Sequence, residues 1–404
     1  MIPPPAADSR SVSIGLLGCG GRIRHVVQNL LRESGGRIHL VAAYDPDLGA
    51  IQTLRETFGT VIDAAASEEA LINQSDWVFI GSYNAEHAHQ AITALRCGKD
   101  VFCEKPLATT LEDCLAVRDA VTDSGRIFSF GLVLRFAPLY RKVQELLASR
   151  EIGTLVSFEF NETLPFNHGG YIFGNWRRHS ALAGSHMLEK CCHDIDLANW
   201  LVESLPVRVA SFGGRDFFKT KNRHHVDRIG PDSQGKPAFQ TWADPHRVNP
   251  FNDDADIMDN QVAILEYANG VRCTFHTNCN AGLPERRFYF CGSEGSLRAD
   301  LYQGKIEVNR IGHESKTEIY DLGFAGGHAG GDEVMAKALA DSLLNRQAPF
   351  ATVEDGIRAC LVAFALDEAA EKKCVVDLSP HWKTIGVDPS ATTLGRNCGG
   401  VHRE

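Results

Sequence analysis

The chain of 404 residues contains neither a long apolar run nor a cluster of basic residues. Its longest apolar stretches, such as LVAAY and WVFIGSY, have the length of a strand. They fall well short of the ~18 residues that a membrane-spanning helix needs. The net charge is -10. The sequence therefore predicts no membrane span, and it argues against binding to nucleic acid or to an anionic membrane surface.

The cysteines follow no C-x-x-C spacing. Several of them, including Cys19, Cys103, Cys273 and Cys291, fall in predicted strands or at strand ends. We expect buried, reduced thiols in a cytoplasmic protein. The first residues, MIPPPAADSR, lack the charged-then-apolar layout of a signal peptide, and they predict a flexible arm over 1–10.

Short apolar runs alternate with helical patterns from Val12 onward. The runs VSIGLLG, IHLVAAYD, WVFIGSY and DVFCEK are typical of strands, and GRIRHVVQNLLRE carries apolar residues at helical spacing. Nearly continuous apolar strands that alternate with helices indicate a parallel sheet covered on both faces. We therefore predict a doubly wound α/β domain of the Rossmann type over residues 11–135.

The pattern changes after residue 135. The run TLVSFEFNET alternates like a half-exposed strand, MLEKCCHDIDLANWLV is helical, and runs beyond Pro206 predict strands joined by glycine-containing turns. These features predict an α+β domain with a large, mostly antiparallel open sheet over 136–380. Residues 219–256, rich in His, Asp, Asn and Pro, are expected to form a long loop, and 381–404 a tail.

The segment GLLGCGGRIRHVV follows the first strand and opens the first helix, and two of its glycines match G-x-G-x-x-(G/A). Gly18 allows a sharp turn, and Gly20 leaves room for a pyrophosphate at the helix N-terminus. The third position is Ile23, so the helix is expected to stand further from the sheet than usual. Asp45, at the end of the second strand, suits the adenosine ribose hydroxyls and would repel a 2′-phosphate. The sequence therefore predicts NAD rather than NADP, with a ligand-free strand–turn–helix as the alternative.

The motif VFCEKPLATT places Lys105 between Glu104 and Pro106 at the end of the fifth predicted strand. Ligands bind at the carboxyl ends of the strands in doubly wound sheets, so this edge suits chemistry. The alternative is a surface ion pair, which contributes little to stability.

Five parts of the sequence together resemble the Gfo/Idh/MocA family, the glucose–fructose oxidoreductase and inositol dehydrogenase family. They are Gly15–Arg22, Asp45, Gly81–Ala108, Leu132–Pro138 and His186–Leu201. The third is the most specific, because its family form runs from G-T-P-N-x-x-H to G-K-x-V-x-x-E-K-P. Within it the chain departs from the family at Ser82 and Tyr83. The matching positions are Asn84, His87, Gly98, Lys99, Glu104, Lys105 and Pro106.

The resemblance implies a Rossmann domain, a second domain with an open sheet, and an oxidoreductase that uses a nicotinamide cofactor. It implies that Lys105 reaches both the substrate hydroxyl and the nicotinamide. It also implies a homodimer or homotetramer formed through the sheet of the second domain. The residues expected at the cofactor are Gly18, Gly20, Gly21, Arg22, Ile23, Asp45, Ser82, Tyr83, Asn84, His87, Glu104 and Lys105.

Within LEKCCHDIDL, Glu189 and His193 lie four residues apart on a predicted helix and would share a face. The resemblance places Glu189, His193 and Asp196 on the family pattern D-x-G-x-H-x-x-D, with the first carboxylate on the substrate and the histidine as acid–base partner. Histidine suits that role because its pKa lies near neutrality; a structural or surface histidine is the alternative. Lys190 stands where the family has a small residue, and we expect it to contact a substrate, including an anionic one.

Two segments resemble metal sites superficially, and we expect no metal. Cys191 and Cys192 are adjacent on a predicted helix, so they point about 100° apart and serve one tetrahedral ion poorly. The run NDDADIMDN lacks the spaced ligands and the central glycine of an EF-hand, and it is expected to be a solvated loop.

Three further residues are predicted to contact the substrate. In GGYIFGNWRRHS, Trp176 offers a flat face for a sugar ring, and Arg177 offers a fork for hydroxyls or a carboxylate. Arg135, in LRFAP, is the third. The alternative for all three is a packed tryptophan with surface arginines.

The predicted function is NAD-dependent hydride transfer between the nicotinamide and a secondary hydroxyl of a sugar, sugar acid, cyclitol or glycoside, with His193 or Lys105 as the base. One alternative is a redox-neutral glycoside hydrolase that oxidises, eliminates, adds water and reduces again. In that reaction His224, His225 and His246 of the long loop could assist. A minor alternative is a non-catalytic NAD-binding regulator, which would be expected to lose Lys105 or His193.

Overall fold

The structure is a computed structural model that describes residues 11–59 and 62–390. The predicted arm over 1–10 and the last part of the predicted tail, 391–404, lie outside the described residues. Within the described ranges, no helix is both long and apolar enough to cross a membrane.

The described strands are numbered in chain order and form two sheets. Their ranges are β1 (Val12–Leu17), β2 (Ile38–Tyr44), β3 (Asp63–Ala64), β4 (Trp77–Ile80), β5 (Asp100–Cys103), β6 (Phe128–Phe130), β7 (Leu155–Pro165), β8 (Pro206–Gly214), β9 (Asn260–Tyr267), β10 (Arg272–Ala281), β11 (Glu285–Gly292), β12 (Gly295–Asp300), β13 (Lys305–Arg310), β14 (Glu318–Asp321) and β15 (Val375–Asp377).

The described α-helices are numbered in the same way. Their ranges are α1 (Gly21–Glu33), α2 (Leu48–Phe58), α3 (Glu68–Gln74), α4 (His87–Arg96), α5 (Leu111–Ser124), α6 (Pro138–Ala148), α7 (Phe166–Phe173), α8 (Ser180–Ala183), α9 (His186–Glu189), α10 (Cys192–Val202), α11 (His225–Ile229), α12 (Gly331–Asn345), α13 (Val353–Lys372) and α14 (Ser379–Thr384). Short 3-10 turns cover Asn84–Glu86, Val133–Phe136, Trp176–Arg178 and Thr220–Asn222.

The first compact unit consists of the chain as far as Phe136 together with Gly326–Ile357. Its described strands are all parallel and lie in the order β3-β2-β1-β4-β5-β6. β4 and β5 are buried at every residue, as expected for a sheet covered on both faces. The strand order reverses between β1 and β4, so their carboxyl ends form the topological switch point. The predicted doubly wound domain is confirmed.

The second unit consists of Ala137–Ala325 and the chain from Arg358 onward. Its sheet has the order β14-β13-β12-β11-β7-β10-β9-β8-β15, and among its described strands β7 and β10 form the parallel pair. Residues of β9 and β10 alternate between buried and exposed, so one face of the sheet is covered and the other is open. The predicted large, mostly antiparallel open sheet is confirmed.

The division of the chain into two units differs from the predicted domains in the segment Gly326–Ile357. This segment lies within the predicted second domain, over 136–380, yet it belongs to the first unit. The reason is that α12 packs against α1, and Asp332 in its first turn accepts a hydrogen bond from Arg22 (Oδ1 to Nη1, 2.6 Å). An apolar helical pattern does not show which sheet the helix will cover, so the sequence could not indicate this assignment.

The ordered chain continues beyond the start of the predicted tail at residue 381. In α14, Trp382 has no exposed surface (0%), and its indole Nε1 donates to the carbonyl of Pro206 at 2.6 Å. The backbone N–H of Leu205 donates to the carbonyl of Pro389 at 3.1 Å. The chain as far as Pro389 therefore belongs to the second unit.

The loop predicted over 219–256 is packed rather than free. It contains α11 and a 3-10 turn. Its Phe239 and Phe251 are buried in one hydrophobic cluster with Phe173 of α7 and with Phe218. The segment is therefore held by its own aromatic side chains.

The acidic run NDDADIMDN, predicted to be a solvated loop, contains a buried carboxylate at its second-last position. Asp259 is 2% exposed and accepts hydrogen bonds from the backbone N–H groups of Asp216, Phe217 and Phe218 at 2.9, 2.8 and 2.8 Å. These bonds explain its burial, because a carboxylate needs such partners away from water. Among the residues that the structure describes, no group of three or more His, Cys, Asp or Glu side chains is placed to hold a metal ion.

A cluster of buried charges joins α10 to β7 and β11 in the core of the second unit. Arg286 donates from Nε and Nη2 to the carboxylate of Asp194 at 2.8 and 2.7 Å, and Nη2 lies 2.5 Å from Oε2 of Glu162. Burial alone would raise the pKa of Glu162, but the charges of Arg286 and Lys190 lower it to about 2. Burial and the neighbouring Glu162 hold the pKa of Asp194 well above its ordinary value. The shared guanidinium therefore favours the ionised form of Glu162, whereas burial and the Glu162 charge oppose ionisation of Asp194.

Gly81, directly after β4, explains how Ile23 fits at the third position of the glycine motif. A Cβ built on Gly81 would lie 2.5 Å from the Cβ of Ile23. The small residue that allows close packing is thus Gly81, directly after the strand, rather than a glycine or alanine at position 23 of the helix. Contrary to expectation, α1 therefore approaches the sheet closely at this point.

Substitutions at Gly81 and Ile23, alone and together, test this packing. Gly81→Ala is expected to destabilise the protein by at least about 1 kcal/mol, because the new methyl group overlaps Ile23. In an Ile23→Gly background the same substitution is expected to cost markedly less. Chemical denaturation of both single variants and the double variant measures the coupling. Additive effects would show that the two side chains do not compete for this space.

Removal of the guanidinium from the buried charge cluster tests its contribution to stability. Arg286→Met is expected to destabilise the protein by about 3–5 kcal/mol at about pH 7.5, because Glu162 and Asp194 lose the cation that they share. Without the cation, burial raises the pKa values of both carboxyl groups in the folded variant. The folded variant therefore keeps protons on these groups at pH values above ~4, where the unfolded chain has released them. Its stability falls as the pH rises, and its deficit against the parent protein is expected to be smaller at about pH 5.

The matched control is Arg287→Met, at the next position of β11. Its guanidinium pairs with Glu159 (Nη2 to Oε1, 2.8 Å), whose side chain is 47% exposed. An exposed pair of this kind contributes at most about 1 kcal/mol, with little dependence on pH in this range. Urea denaturation of both variants at the two pH values makes the comparison. Equal losses, or a deficit of Arg286→Met that does not grow with pH, would show that the Arg286 charge does not hold down the pKa values of the two buried carboxyl groups.

Candidate functional site

The turn between β1 and α1 leaves open space above its backbone. Gly18 has a φ of +79°, and a Cβ there would lie 2.5 Å from the backbone nitrogen of Ser82. A Cβ on Gly20 would meet no atom within 4 Å, and α1 begins at Gly21. A pyrophosphate therefore fits against the backbone at Gly20, beside the N–H groups of the helix N-terminus.

Asp45 is fixed directly beside this turn. Its Oδ2 accepts a hydrogen bond from the backbone N–H of Cys19 at 2.7 Å, and its Oδ1 accepts one from that of Asp47 at 2.9 Å. A carboxylate oxygen has more than one acceptor site, so the ribose hydroxyls can still bind. The negative charge disfavours a 2′-phosphate. The glycine turn and Asp45 together fit NAD.

The E-K-P turn at the end of β5 is held on both sides of Lys105. The backbone N–H of Lys105 donates to Oε2 of Glu104 at 3.3 Å, and Glu104 is 5% exposed. The peptide bond between Lys105 and Pro106 is cis. Burial lowers the pKa of His87, so its neutral ring donates from Nδ1 to the carbonyl of Pro106 at 2.7 Å. His87, predicted at the cofactor, thus supports the turn that presents Lys105.

Arg22, also predicted at the cofactor, binds two carboxylates of the first unit. Its Nε donates to Oε1 of Glu104 at 2.8 Å, and its Nη1 donates to Oδ1 of Asp332 at 2.6 Å. The ring of His328 lies 2.8 Å from the other oxygen of Asp332. Burial alone would raise the pKa of Asp332, but His328 and Arg22 hold it far below its ordinary value. Arg22 therefore connects the glycine turn with the E-K-P turn.

Ser82, Tyr83 and Asn84 follow β4 at the switch point, where the sequence predicted cofactor contacts. The hydroxyl of Ser82 donates to the side-chain carbonyl of Gln90 at 2.7 Å. Tyr83 is 45% exposed, whereas Asn84 is buried at the start of a 3-10 turn. Tyr83 is therefore the one of the three whose side chain is largely open to solvent.

Arg135, predicted as a substrate residue, is buried within the first unit. It is 5% exposed, and its Nη2 donates to Oδ1 of Asp355 at 3.1 Å. The other oxygen of Asp355 accepts hydrogen bonds from the backbone N–H and the hydroxyl of Thr352 at 2.9 and 2.8 Å. These contacts connect Arg135 to the start of α13, and its contact with a substrate stays a prediction.

In the second unit, the segment predicted as one helix through Glu189 and His193 is broken. α9 ends at Glu189 and α10 begins at Cys192. Between them the N–H of Cys191 donates to the carbonyl of His186, five residues earlier, as in the wide turn of a π-bulge. Glu189 and His193 therefore lie on two separate helices rather than on the single predicted helix.

Glu189 belongs to a group of side chains that we call the Arg177 cluster. Arg177 donates from Nε to Oε1 of Glu189 and from Nη1 to the hydroxyl of Tyr171, both at 3.1 Å. Its guanidinium carbon lies 4.4 Å from the centre of the Trp176 ring. The side chain of Arg177 is 20% exposed, which excludes a surface arginine. The members of the cluster are His168, Tyr171, Trp176, Arg177, Glu189, Lys190 and Trp242.

Lys190 and His168 complete the polar part of the Arg177 cluster. The ammonium group of Lys190 lies 3.3 Å from Oε1 of Glu162, and its side chain is 14% exposed. Burial, together with the Lys190 charge, lowers the pKa of His168 to about 3, so its ring is neutral. That ring meets the rings of Tyr171 and Trp242 edge to face, with centroids 6.2 and 5.2 Å away.

His168 and Tyr171 were not among the predicted site residues. They lie three positions apart on α7, in NHGGYIF, and so share one side of the helix. That spacing was the available signal, but the glycines between them predict a loop rather than a helix. Trp242, from the predicted loop, is 52% exposed and could not be assigned because no periodicity links it to α7.

His193 lies in the first turn of α10 and is 5% exposed. Asp196, which follows it on the same helix, is 2% exposed. This burial excludes the surface alternative for His193. The histidine stands in the part of α10 that also carries Asp194 and its contact with Arg286.

The chain matches models of two domains that belong together. One is "Oxidoreductase family, NAD-binding Rossmann fold", matched over residues 12–132, and the other is "Oxidoreductase family, C-terminal alpha/beta domain", matched over 144–378. The putative oxidoreductase YteT of Bacillus subtilis is 23% identical over 328 residues, which cover 68% of this chain and 74% of that protein. The 2,7-anhydro-N-acetylneuraminate hydratase of Escherichia coli is 22% identical over 307 residues, which cover 76% and 72%.

Among solved structures, a levoglucosan dehydrogenase in complex with NADH and levoglucosan superposes with a TM-score of 0.75. It is 19% identical, and the match covers 92% of this chain and 100% of that one. At this identity the likeness shows the fold. The fit of the glycine turn and Asp45 to a dinucleotide agrees with the matched model of an NAD-binding Rossmann fold. The chain belongs to the Gfo/Idh/MocA family of oxidoreductases and is an NAD-binding enzyme.

Proposed function

We propose that this NAD-dependent enzyme oxidises or reduces a carbohydrate at a secondary hydroxyl, with a sugar, sugar acid, cyclitol or glycoside as substrate. The observation that carries the proposal is the Arg177 cluster. It combines a carboxylate, two cations and a phenol with the flat faces of two tryptophans, and such combinations suit a hydroxylated ring. A relative named for an N-acetylneuraminate derivative and a fold neighbour named for levoglucosan support a carbohydrate.

Lys105 and His193 are the proposed catalytic residues. When bound, NAD supplies the hydride acceptor or donor at its nicotinamide. Lys105 would hydrogen-bond the reacting oxygen and stabilise its developing charge, and His193 would exchange the hydroxyl proton. Glu189 would accept a hydrogen bond from a neighbouring hydroxyl, with Arg177 fixing the orientation of its carboxylate. Which of the two groups is the base stays a prediction.

A redox-neutral reaction is the second candidate. It needs acid–base groups beyond the pair that a single hydride transfer uses, because it includes an elimination and an addition of water. The Arg177 cluster contains one such group in the phenol of Tyr171, and one relative is named a hydratase. Of the loop histidines expected to assist, His224 is exposed, and the centre of its ring lies 4.2 Å from that of His225 with the two planes tilted by 36°.

A homodimer or homotetramer formed through the open face of the second sheet is also proposed. Phe212 on β8 is 67% exposed and pairs across the strands with Val262 on β9, which is 48% exposed. Ile264, two residues further on β9, is 60% exposed. Neighbouring apolar side chains on an open face are typical of a protein interface.

A cytoplasmic location is proposed as well. The cysteines that the structure describes are all free thiols. Most of them are buried, whereas Cys97 and Cys374 are exposed. Free thiols of this kind fit a reducing compartment.

The first experiment supplies the purified enzyme with NAD and with free sugars, cyclitols, uronates and aryl glycosides. Absorbance is followed at the NADH and nitrophenol bands together. NADH that forms in step with substrate consumption is expected for hydride transfer. Release of the aryl alcohol without stoichiometric NADH would instead establish the redox-neutral reaction.

Lys105→Met tests the proposed catalytic role. Turnover is expected to fall at least about 100-fold, because the developing charge on the substrate oxygen loses its hydrogen-bond donor. NADH affinity, measured by fluorescence titration, is expected to change less than about 3-fold, since the glycine turn and Asp45 are untouched. The control is Lys99→Met, because Lys99 donates to the carbonyl of Ser75 at 2.7 Å, before the start of β5. Turnover that is unchanged in Lys105→Met would exclude the assignment.

Ile264→Glu tests the proposed interface. The parent protein is expected to be at least a dimer in light scattering, and the variant is expected to shift towards the monomer because a buried interface would have to accept an unpaired charge. Leu283→Glu is the control, since Leu283 is 89% exposed in the turn between β10 and β11. A monomeric parent protein, or equal behaviour of the two variants, would contradict the interface.

A further inference from the structure

The segment GGHAGGD, Gly326–Asp332, has an unusual backbone just before α12. Positive φ angles occur at Gly326 (76°), His328 (48°), Ala329 (54°) and Gly330 (85°). For the histidine and the alanine these angles lie in a region that side chains with a Cβ disfavour. Such conformations persist only where surrounding contacts impose them, and they concentrate near functional sites.

The contacts that impose this backbone lead to α1. Asp332, with a side chain that is 1% exposed, accepts hydrogen bonds from Arg22 and His328, and its Oδ2 lies 3.4 Å from the ring of His25. A Cβ on Gly327 would lie 2.2 Å from Oδ2 of Asp332 and 2.9 Å from Nε2 of His25. The segment is therefore packed tightly around one carboxylate, and that carboxylate faces Arg22.

From Arg22 the contacts continue to Lys105. The Nε of Arg22 donates to Oε1 of Glu104, and Oε2 of Glu104 accepts the backbone N–H of Lys105. Glu104 is 5% exposed, and Gly131 packs so closely against it that a Cβ added there would lie 3.0 Å from its Oε2. Each carboxylate orients one end of the guanidinium, so the position of Asp332 limits the position of Glu104.

We propose that Asp332 is a positioning residue for Lys105, acting through Arg22 and Glu104. This inference rests on the proposed catalytic role of Lys105. A carboxylate more than two hundred residues away in the sequence would then determine where the lysine backbone lies. Supporting groups of this kind change activity about 10–100-fold although they do not touch the substrate. The competing explanations are that Asp332 only anchors α12, or that Arg22 binds the cofactor directly.

The test combines Asp332→Asn with Lys105→Met in the full-length enzyme with NAD. Asp332→Asn alone is expected to lower kcat about 10-fold, with KM for the substrate and the Kd for NADH changed less than about 3-fold. In the Lys105→Met background the same substitution is expected to lower kcat less than about 2-fold, because the side chain whose position it controls is already gone. Losses that multiply in the double variant would overturn the inference, as would an unchanged kcat in Asp332→Asn.

Two comparisons separate this role from a merely structural one. With a substrate deuterated at the reacting carbon, Asp332→Asn is expected to show a larger isotope effect on kcat than the parent protein, since only the chemical step slows. A smaller fraction of folded enzyme would leave the isotope effect unchanged, and that result would count against the proposal. Asp341→Asn, at an exposed position of α12, is the matched control and is expected to leave kcat unchanged.

Arg22→Lys gives a second, independent variant. A lysine cannot bind Glu104 and Asp332 with two separate nitrogens, so the same loss of kcat is expected with NADH affinity nearly unchanged. A large loss of NADH affinity would instead show direct cofactor binding by Arg22 and would overturn the inference. If Lys105→Met has no effect on turnover, the proposed catalytic role of Lys105 is wrong. If Lys105→Met lowers turnover but the losses of the two substitutions multiply in the double variant, only the positioning role of Asp332 is wrong.

Discussion

The guanidinium of Arg22, shared between Glu104 and Asp332, is the interaction on which the organisation of the first unit depends. It joins the helix after the glycine turn, the end of β5 and the start of α12. Both carboxylates are held away from bulk water, where a charge without a partner is strongly destabilising, and the side chain of Arg22 is 27% exposed. The glycine turn, the E-K-P turn and α12 therefore form one connected structure, although the sequence presents them as three separate motifs.

The second unit distributes its charges in a different way. Arg286 is shared by two buried carboxyl groups, Lys190 approaches one of them, and Arg177 holds Glu189. Each cation has a carboxylate partner before any ligand arrives, so the side chains are oriented in advance. A substrate would meet hydrogen-bonding groups in fixed positions rather than an excess of free positive charge. This arrangement supports the proposed recognition of hydroxyl groups.

The sequence predicted those parts of the fold and site that depend on neighbouring residues. Gly18, Gly20 and Asp45 follow strands directly, so their places at the switch point could be read from the chain. The close approach of Ile23 to Gly81, the join of α12 to the first unit and the pairing of Arg135 with Asp355 depend on residues far apart in the sequence. The break between Glu189 and Cys192 depends on a single wide turn, which helical periodicity over the whole segment conceals.

Because Gly326–Ile357 completes the first unit, the part of the second unit over Ala137–Ala325 interrupts the first unit in the sequence. On the ribosome, the strands β1 to β6 emerge long before Asp332 has been synthesised. Arg22 and Glu104 must therefore wait for their partner while Ala137–Ala325 leaves the exit tunnel. The dinucleotide-binding unit comes first in the sequence and is completed late in synthesis, and a fragment that ends before Gly326 lacks the carboxylate that completes its ion bridge.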